Sequence, residues 1–182
     1  MPDRIPQLSV LGQRIIILGP TNAGKSTLAA SIGKKLGMPA IHLDQFRHLP
    51  DTDWQQRPDE DFAALHDQAI LEPEWVMEGN YSRLMPKRLD RATGIIVVDE
   101  SLLRRTWRYL RRSLTQNERH GALAGNKDSI KFAMLQWLWK TRNSSVASRE
   151  RARKSGLPHV FANNEAELNA LYAAWNLTLP PV

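Results

Sequence analysis

The sequence contains no cysteine, which excludes disulfide bonds, thiolate nucleophiles and cysteine-ligated zinc sites. It also lacks long hydrophobic runs, and none approaches the roughly 18 uninterrupted apolar residues of a transmembrane helix. The N-terminal stretch MPDRIPQLSVLGQR has no cationic segment followed by a long apolar core, so it is not typical of a signal peptide. The five histidines show no metal-ligand spacing, and no internal repeat is present. These absences favour a cytoplasmic protein, and 182 residues with 42% hydrophobic composition predict a single domain, residues 1–182.

Acidic residues are fewer than basic residues. Lysine and arginine total 25 against 19 acidic residues, which gives a formal net charge of +6. This balance favours a polyanionic partner or substrate, either nucleotide phosphates or nucleic acid. Six arginines lie between Arg104 and Arg119, and a second basic run lies between Lys140 and Lys154, although ordinary solvated surface is the alternative for each run. We interpret the six tryptophans as core packing rather than as stacking platforms for bases.

A glycine-rich stretch lies between a strand-like run and a helix-like run. LGPTNAGKSTLA (Leu18–Ala29) contains the spacing G-x-x-x-x-G-K-S of a P-loop, from Gly19 to Ser26. In a P-loop the backbone N–H groups surround phosphates, Lys25 reaches the β- and γ-phosphates, and the Ser26 hydroxyl ligates Mg²⁺. The preceding run IIIL is apolar, as a buried parallel strand requires, and an apolar residue recurs every fourth position afterwards. A chance glycine-rich turn would need strand, loop and helix to coincide by accident, so the sequence predicts binding of a nucleoside triphosphate.

Strand-like and helix-like segments alternate along the chain. This alternation predicts an α/β fold with a parallel sheet and helices on both faces. The predicted strands are Arg14–Leu18, Ala40–Leu43, Trp75–Glu78, Gly94–Asp99 and Pro158–Phe161. The predicted helices are the P-loop helix, Pro58–Glu72, Met85–Leu89, an arginine-rich helix from Leu102, Ser129–Arg153 and Glu165–Trp175.

Carboxylates follow several of the predicted strands. Asp44 follows the second strand, Glu78 ends the third and Asp99 ends the fourth, where its neighbour Glu100 is predicted to be exposed. Ligands bind beyond the carboxyl ends of parallel strands, so these acids would surround the mouth that holds the P-loop. One near Mg²⁺ could hold a metal-bound water, and one near an acceptor hydroxyl could take its proton. The alternative for each acid is the capping of the next turn.

The arginine-rich helix combines a cationic face with an apolar one. Arg104, Arg108 and Arg112 are four residues apart, and such like charges cost roughly 0.2–0.5 kcal/mol per pair. Stabilising the charge of a transferred phosphoryl group would give the arrangement a purpose. The apolar spacing predicts that the helix docks on the core through Leu103, Trp107, Leu110 and Leu114. The polar stretch that follows, TQNERHGALAGNKD, is predicted to be a lid that excludes water.

These motifs together resemble the small P-loop kinases of the adenylate kinase and shikimate kinase type. The chain is most similar to the subgroup labelled DNA topology modulation protein FlaR, or AAA family ATPase. The resemblance covers nearly the whole chain, although Glu78 stands where the subgroup usually has Asp. It is carried by GPTNAGKSTLA, HLDQF, DWQQRP, WVMEGNYS, KRLDRAT, IIVVD and RYLRR.

The resemblance implies a three-layer P-loop NTPase sandwich whose five parallel strands have the order 2-3-1-4-5. It also implies an acceptor-binding insertion at about 45–74, a lid at about 104–128, and a position beside adenine for Ala162–Glu165, including Asn163. The residues expected to hold nucleotide are Gly19, Pro20, Thr21, Asn22, Ala23, Gly24, Lys25, Ser26 and Thr27. Ser26 and, through water, Glu78 are expected to hold Mg²⁺.

The predicted function is Mg²⁺-dependent phosphoryl transfer from ATP to a small-molecule acceptor. Lys25, Asp44, Arg108 and Arg112 are the predicted catalytic residues. Asp44 favours a hydroxyl acceptor, whereas several arginines favour an acceptor that already carries phosphate or carboxylate, and a hydroxylated anion or a nucleotide satisfies both. The expected acceptor-binding residues are Asp44, Arg47, Arg57, Arg83 and Arg88. An ATPase, or a nucleotide-regulated nucleic-acid-binding protein that affects DNA topology, is the alternative function.

Overall fold

At the centre of the fold lies a strand whose apolar residues have no exposed surface. In strand β1 (Arg14–Leu18), each residue from Ile15 to Leu18 has an exposed fraction of 0%. The structure is a computed structural model that describes residues 5–52, 54–115, 139 and 144–179, with side chains omitted from 112 to 115. Burial on both faces explains why the sequence of β1 is a continuous apolar run rather than an alternating one.

Four further parallel strands complete the sheet. They are β2 (Ala40–His42), β3 (Trp75–Glu78), β4 (Gly94–Val98) and β5 (His159–Ala162). The spatial order is β2-β3-β1-β4-β5, and every neighbouring pair is parallel. The register pairs Ile17 with Glu78 on one side and Leu18 with Val97 on the other. The predicted α/β class and the predicted order 2-3-1-4-5 are confirmed.

Helices cover both faces of the sheet. Alternate residues of β1 belong to two separate hydrophobic clusters, with Ile15 and Ile17 in one and Ile16 and Leu18 in the other. The first cluster is closed by α1 (Lys25–Leu36) and α7 (Glu165–Ala174). The second is closed by α2 (Leu43–Arg47), α3 (Asp59–Ala69), α4 (Met85–Arg91) and α6 (Ser144–Lys154). Because the strands are parallel, their carboxyl ends share one edge, and the P-loop lies there.

The fifth helix packs on a different face from the one predicted. In α5 (Leu102–Thr115), Leu103 is 84% exposed and Trp107 is 58% exposed, whereas Arg105 is 0% and Tyr109 is 2% exposed. The prediction of docking through the leucine face is therefore wrong, and the side chain of Leu114 lies outside the described residues. The physical reason is that α5 meets polar backbone, since the Arg105 Nε donates a hydrogen bond to the Thr21 carbonyl at 2.8 Å.

Part of the predicted organisation falls outside the described residues. Of the predicted helix Ser129–Arg153, the structure describes residue 139 and the residues from 144 onward, and both parts are helical, the second as Ser144–Lys154. The predicted lid at about 104–128 is described only as far as residue 115. In the described part of the chain, no helix combines the length and the apolar character needed to cross a bilayer.

Candidate functional site

The loop that joins β1 to α1 depends on two glycines with positive φ. Gly19 has φ +143°, and a Cβ atom at this position would lie 2.0 Å from the Val98 carbonyl oxygen. Gly24 has φ +96° and precedes α1 in the left-handed conformation that glycine adopts without strain. Lys25, the first residue of α1, donates a hydrogen bond from Nζ to the Pro20 carbonyl at 2.9 Å. The predicted sequence of strand, loop and helix is confirmed, with Thr21, Asn22 and Ala23 in the loop and a half-buried Thr27 on the first helical turn.

A carboxylate from β3 meets the start of α1. The Ser26 hydroxyl donates a hydrogen bond to Glu78 Oε1 at 2.9 Å, and His42 Nδ1 lies 3.1 Å from the same oxygen. Glu78 is only 4% exposed. Burial alone would raise the pKa of Glu78, but the hydrogen bonds from His42 and Ser26 and the charge of Lys25 outweigh it and lower the pKa. Glu78 is therefore a carboxylate, and its Oε2 has no hydrogen-bond partner among the described residues.

The Ser26 and Glu78 pair fits Mg²⁺. Both side chains offer oxygen, and Mg²⁺ is usually held by one or two carboxylates together with substrate phosphates and water. No group of three or more His, Cys, Asp or Glu in the described part of the chain could hold a metal. These donors therefore fit a metal shared with nucleotide phosphates better than one enclosed by protein alone.

Asn80 joins the loop after β3 to the P-loop. Its side-chain Oδ1 accepts from the Gly19 N–H at 3.1 Å, and its Nδ2 donates to the Gly19 carbonyl at 3.0 Å. Both backbone groups of Gly19 are thus satisfied by one amide. Asn80 was not among the predicted site residues, although its position two residues after Glu78, at the carboxyl end of β3, was a usable signal.

Arg88 stabilises this loop from the protein interior. Its side chain is 0% exposed, and it donates to the carbonyls of Gly79 at 2.7 Å and Asn80 at 3.2 Å. Burial, reinforced by the charge of Arg151, lowers the pKa of Arg88 to about 10. The expectation that Arg88 binds the acceptor is not supported by this position, because its guanidinium is enclosed by protein and directed at backbone oxygens.

Asp44 lies at the start of α2 and contacts Tyr81, the residue after Asn80. The Tyr81 hydroxyl donates to Asp44 Oδ1 at 2.6 Å. Burial, reinforced by the Asp44 carboxylate, raises the pKa of Tyr81 well above its ordinary value of 10.0, so the phenol stays protonated as the donor. Tyr81 has φ +25°, an unusual value for a residue with a side chain. The exposed Asp44 keeps Oδ2 available for another partner.

A cavity of about 250 Å³ lies next to Tyr81. Phe62, Tyr81 and Leu84 supply apolar surface, and Arg47, Asp59 and Arg83 supply polar groups. Phe62 and Tyr81 meet edge to face, with ring centroids 4.9 Å apart. The cavity is therefore built from the segment between β2 and β3 together with the loop after β3.

Asp59 lies between the two arginines of the cavity. Its Oδ1 accepts from Arg47 at 2.6 Å and its Oδ2 accepts from Arg83 at 2.7 Å. These contacts, with Arg47 the larger influence, lower the pKa of Asp59. Arg47 also donates to the Arg57 carbonyl at 3.1 Å and to Gln56 at 2.6 Å, so both of its Nη groups have protein partners. Both arginines were predicted from the sequence as acceptor-binding residues, whereas Asp59, their shared partner, was not predicted.

Arg57 and Arg83 differ in how they relate to the cavity. Arg57 does not line it, and its Nε donates to the Phe46 carbonyl at 2.9 Å. The Arg83 side chain is 75% exposed and makes one hydrogen bond, to Asp59, within the described part of the chain. Arg83 is therefore the cavity-lining arginine with donors to spare.

Two arginines of α5 share a partner on α7. Arg104 and Arg108 both form ion pairs with Glu165, the Arg108 contact being 2.9 Å, as expected for residues on one helical face. Arg108 also lies 3.7 Å from Glu100, which is 6% exposed, so the prediction that Glu100 is exposed is wrong. The side chain of Arg112 lies outside the described residues.

Asn163 follows β5 at the same edge of the sheet. Its Oδ1 accepts from Arg149 at 2.8 Å, and its Nδ2 donates to Glu167 at 2.8 Å. Arg149 also contacts Asp99 at 3.2 Å. Asp99 is therefore held in an ion pair, while the assignment of Asn163 to adenine stays a prediction.

The fold is similar to that of solved structures, whereas comparisons at the level of sequence find no match. No family model matches the sequence, and no curated protein matches it. A deoxyadenosine kinase from M. mycoides, solved with products dCMP and a flexible dCDP bound, is similar in structure at 16% sequence identity. The match covers 87% of this chain and 96% of that chain, with a TM-score of 0.44.

Proposed function

We propose that the protein transfers the γ-phosphoryl group of ATP to a hydroxyl group of a small-molecule acceptor in a Mg²⁺-dependent reaction. The observation that carries the proposal is the double attachment of the β3 end to the P-loop. Glu78 accepts from Ser26, and Asn80 binds both backbone groups of Gly19. This places a carboxylate, a P-loop and an adjoining cavity on one edge of the sheet, as phosphoryl transfer requires.

The nucleotide would occupy the P-loop. Lys25 would leave the Pro20 carbonyl and hold the β- and γ-phosphates, and Thr27 would contact the α-phosphate. The phosphates would lie at the N-terminus of α1, where the helix dipole favours negative charge. Asn163 would lie beside the adenine. Ser26 and Glu78 would hold Mg²⁺, which supplies charge neutralisation at the phosphates when bound.

Asp44 would act as the general base. Its Oδ2 would take the proton of the acceptor hydroxyl while Tyr81 holds Oδ1 and orients the carboxylate. The acceptor oxygen forms a bond to the γ-phosphorus, the bond between that phosphorus and the bridging oxygen breaks, and ADP leaves with the electron pair. The proton on Asp44 then passes to solvent.

Arg108 and Arg112 would stabilise the charge on the transferred group. In this structure Arg108 is bound to Glu165 and lies near Glu100, so it would exchange these carboxylates for phosphoryl oxygens. Arginine suits this exchange because its planar fork matches both groups.

Lys25→Ala tests the proposal. We expect much weaker binding of a non-hydrolysable ATP analogue by calorimetry, and turnover lowered by roughly 10²-fold or more in an ADP-release assay, because a phosphate-stabilising charge is removed. Lys35→Ala, which removes an exposed lysine at the far end of α1, should change neither. Unchanged affinity and turnover in Lys25→Ala would refute the nucleotide site. Turnover that no acceptor stimulates would favour the ATPase alternative.

A further inference from the structure

We infer that the acceptor is a nucleoside that carries no phosphate, with its base in the cavity beside Tyr81 and a sugar hydroxyl directed at Asp44. This inference rests on the proposed function and adds the substrate class. Three features carry it: the charge balance of the cavity, its aromatic surface and its connection to Asp44.

The charge balance of the cavity leaves one arginine with spare donors for a phosphate. Recognition of phosphate usually employs arginine forks with free donors. Here both Nη groups of Arg47 already donate to protein groups, namely Asp59, Gln56 and the Arg57 carbonyl. Asp59 also pairs with Arg83, so the two cations that line the cavity share one carboxylate and one net positive charge remains, carried by an Arg83 side chain that has spare donors.

The other predicted arginines do not restore a phosphate site. Arg88 is fully buried on backbone carbonyls, and Arg57 does not line the cavity. Among the described residues, therefore, not every arginine predicted to bind the acceptor offers it a free positive charge. A single arginine with spare donors is fewer than the set of forks that usually binds a phosphate, so an acceptor without a phosphate fits these residues better than a phosphorylated one.

The surface of the cavity suits a planar heteroaromatic ring. Phe62 and Tyr81 form an edge-to-face pair, and the Arg47 guanidinium lies over the Phe62 ring at 5.5 Å from its centroid. Rings bind to such surfaces by offset or edge contacts. Asp59 supplies an acceptor and Arg83 a donor side by side, which is the pair needed to read the polar edge of a base.

Tyr81 connects the cavity to the proposed base. It lines the cavity and donates through its hydroxyl to Asp44 at 2.6 Å. A molecule with its ring in the cavity and its hydroxyl at Asp44 must carry both groups within one small skeleton. A nucleoside has this form, whereas a sugar acid lacks the ring.

The experiment compares acceptor classes on the wild-type protein. ADP release is measured with common ribo- and deoxyribonucleosides, with their 5′-monophosphates and with hydroxy acids and sugars, while calorimetry with the non-hydrolysable ATP analogue is run in parallel. We expect at least one nucleoside to raise turnover about tenfold or more above the basal rate, and its monophosphate to be much poorer.

Arg83→Gln provides the second measurement. We expect the KM for that nucleoside to rise about tenfold with a smaller change in kcat, because a charged donor to the base is lost. Lys87→Gln removes a surface cation that does not line the cavity and should leave this KM unchanged.

The possible failures are distinguishable. Intact binding of the ATP analogue with a preference for monophosphates or hydroxy acids would overturn the nucleoside assignment and leave the proposed function standing. Intact binding with no stimulation by any acceptor would overturn the inference and also favour the ATPase alternative over the proposed phosphoryl transfer. If the wild-type protein does not bind the ATP analogue, the proposed function and the inference are both refuted.

Discussion

At the scale of single residues, His42 determines where the Glu78 carboxylate is held. It is 7% exposed, and its Nδ1 lies 3.1 Å from the oxygen that also accepts from Ser26. Side chains that orient a metal-binding group typically contribute roughly 10–100-fold to metal affinity or activity. We therefore expect His42→Leu to weaken the Mg²⁺-dependent part of ATP-analogue affinity by this order, measured by calorimetry with and without Mg²⁺.

His42→Asn is the matched control. The asparagine amide nitrogen can take the place of Nδ1 as a donor to Glu78, so most of the Mg²⁺-dependent affinity should return. Equal loss in the leucine and asparagine variants would show that the imidazole acts through packing rather than through this contact.

His66 gives a pH dependence of stability. It is 0% exposed, its Nδ1 lies 3.1 Å from Asp67, and its Nε2 has no hydrogen-bond partner within the described part of the chain. Burial lowers the pKa of His66 below its ordinary value of 6.5, so the unfolded chain binds the proton more readily than the folded one. The free energy of unfolding should therefore be unaffected by His66 above pH 6.5 and fall as the pH drops below that value, by at most about 1.4 kcal/mol per pH unit.

Urea unfolding between pH 7.5 and 5.5, roughly the range around the ordinary histidine pKa, measures this effect. His66→Leu should flatten the fall in stability at the acid end, because the group that takes up the proton on unfolding is gone. His159→Gln, which replaces an exposed histidine, should keep the wild-type slope. A slope unchanged in His66→Leu would contradict the assignment.

At the scale of elements, α5 is held to the P-loop by a buried cation. The Arg105 side chain is fully buried and donates to the Thr21 carbonyl, whereas Leu103 on the neighbouring face is 84% exposed. Removal of a charged hydrogen bond costs about 1.5–3 kcal/mol, and an exposed substitution usually changes stability by less than about 0.5 kcal/mol. We expect Arg105→Leu to lower the free energy of unfolding by the larger amount and Leu103→Ala by the smaller, measured by urea unfolding at constant pH. A larger effect from Leu103→Ala would restore the leucine face as the docking face.

Strands and helices were predicted correctly from the sequence where the apolar pattern fits only one kind of element. Arg14–Leu18 and Trp75–Glu78 have the predicted bounds because each contains an unbroken apolar run, Ile15–Leu18 and Trp75–Met77, whose residues are buried. Leu43 begins a short helix instead of ending β2, since one apolar residue suits either element. The docking face of α5 was missed because periodicity counts an arginine as solvent-facing, although a carbonyl-lined surface requires a donor.

The site was predicted less completely than the fold. The P-loop spacing is local in sequence, so it could be recognised directly. The Tyr81 contact joins residues 37 positions apart, and the Glu78 contact with His42 joins residues 36 positions apart. No sequence pattern around a single histidine or tyrosine predicts such a distant partner. These residues come together only because the carboxyl ends of the parallel strands lie at the same edge of the sheet.

At the scale of the whole molecule, the net charge of +6 does not by itself measure the positive surface available to DNA. In the described part of α5, Arg104 and Arg108 are paired with Glu165, and Arg105 is buried. A DNA interface needs open cations along a groove, and its affinity falls steeply with salt. We expect weak duplex binding by fluorescence anisotropy at about 150 mM salt, roughly physiological ionic strength.

Two variants separate the kinase from a DNA-binding protein. Arg108→Ala and Arg112→Ala should lower ATP turnover by about 10²-fold or more and leave the weak DNA binding unchanged. Tight, salt-sensitive DNA binding that both variants abolish, with ATP turnover preserved, would reverse this ranking.

The two attachments of β3 to the P-loop also have a thermodynamic consequence. One path of contacts runs from Ser26 through Glu78 to His42, and the other runs from Gly19 through Asn80 and its neighbour Tyr81 to Asp44. His42 and Asp44 are two residues apart, so the paths nearly close into a ring. Any change in nucleotide affinity caused by an acceptor at Asp44 must be matched by an equal change in acceptor affinity caused by nucleotide, because coupling free energy is reciprocal. Because two separate paths of contacts connect the sites, the loss of one contact would reduce the coupling free energy between nucleotide and acceptor without abolishing it.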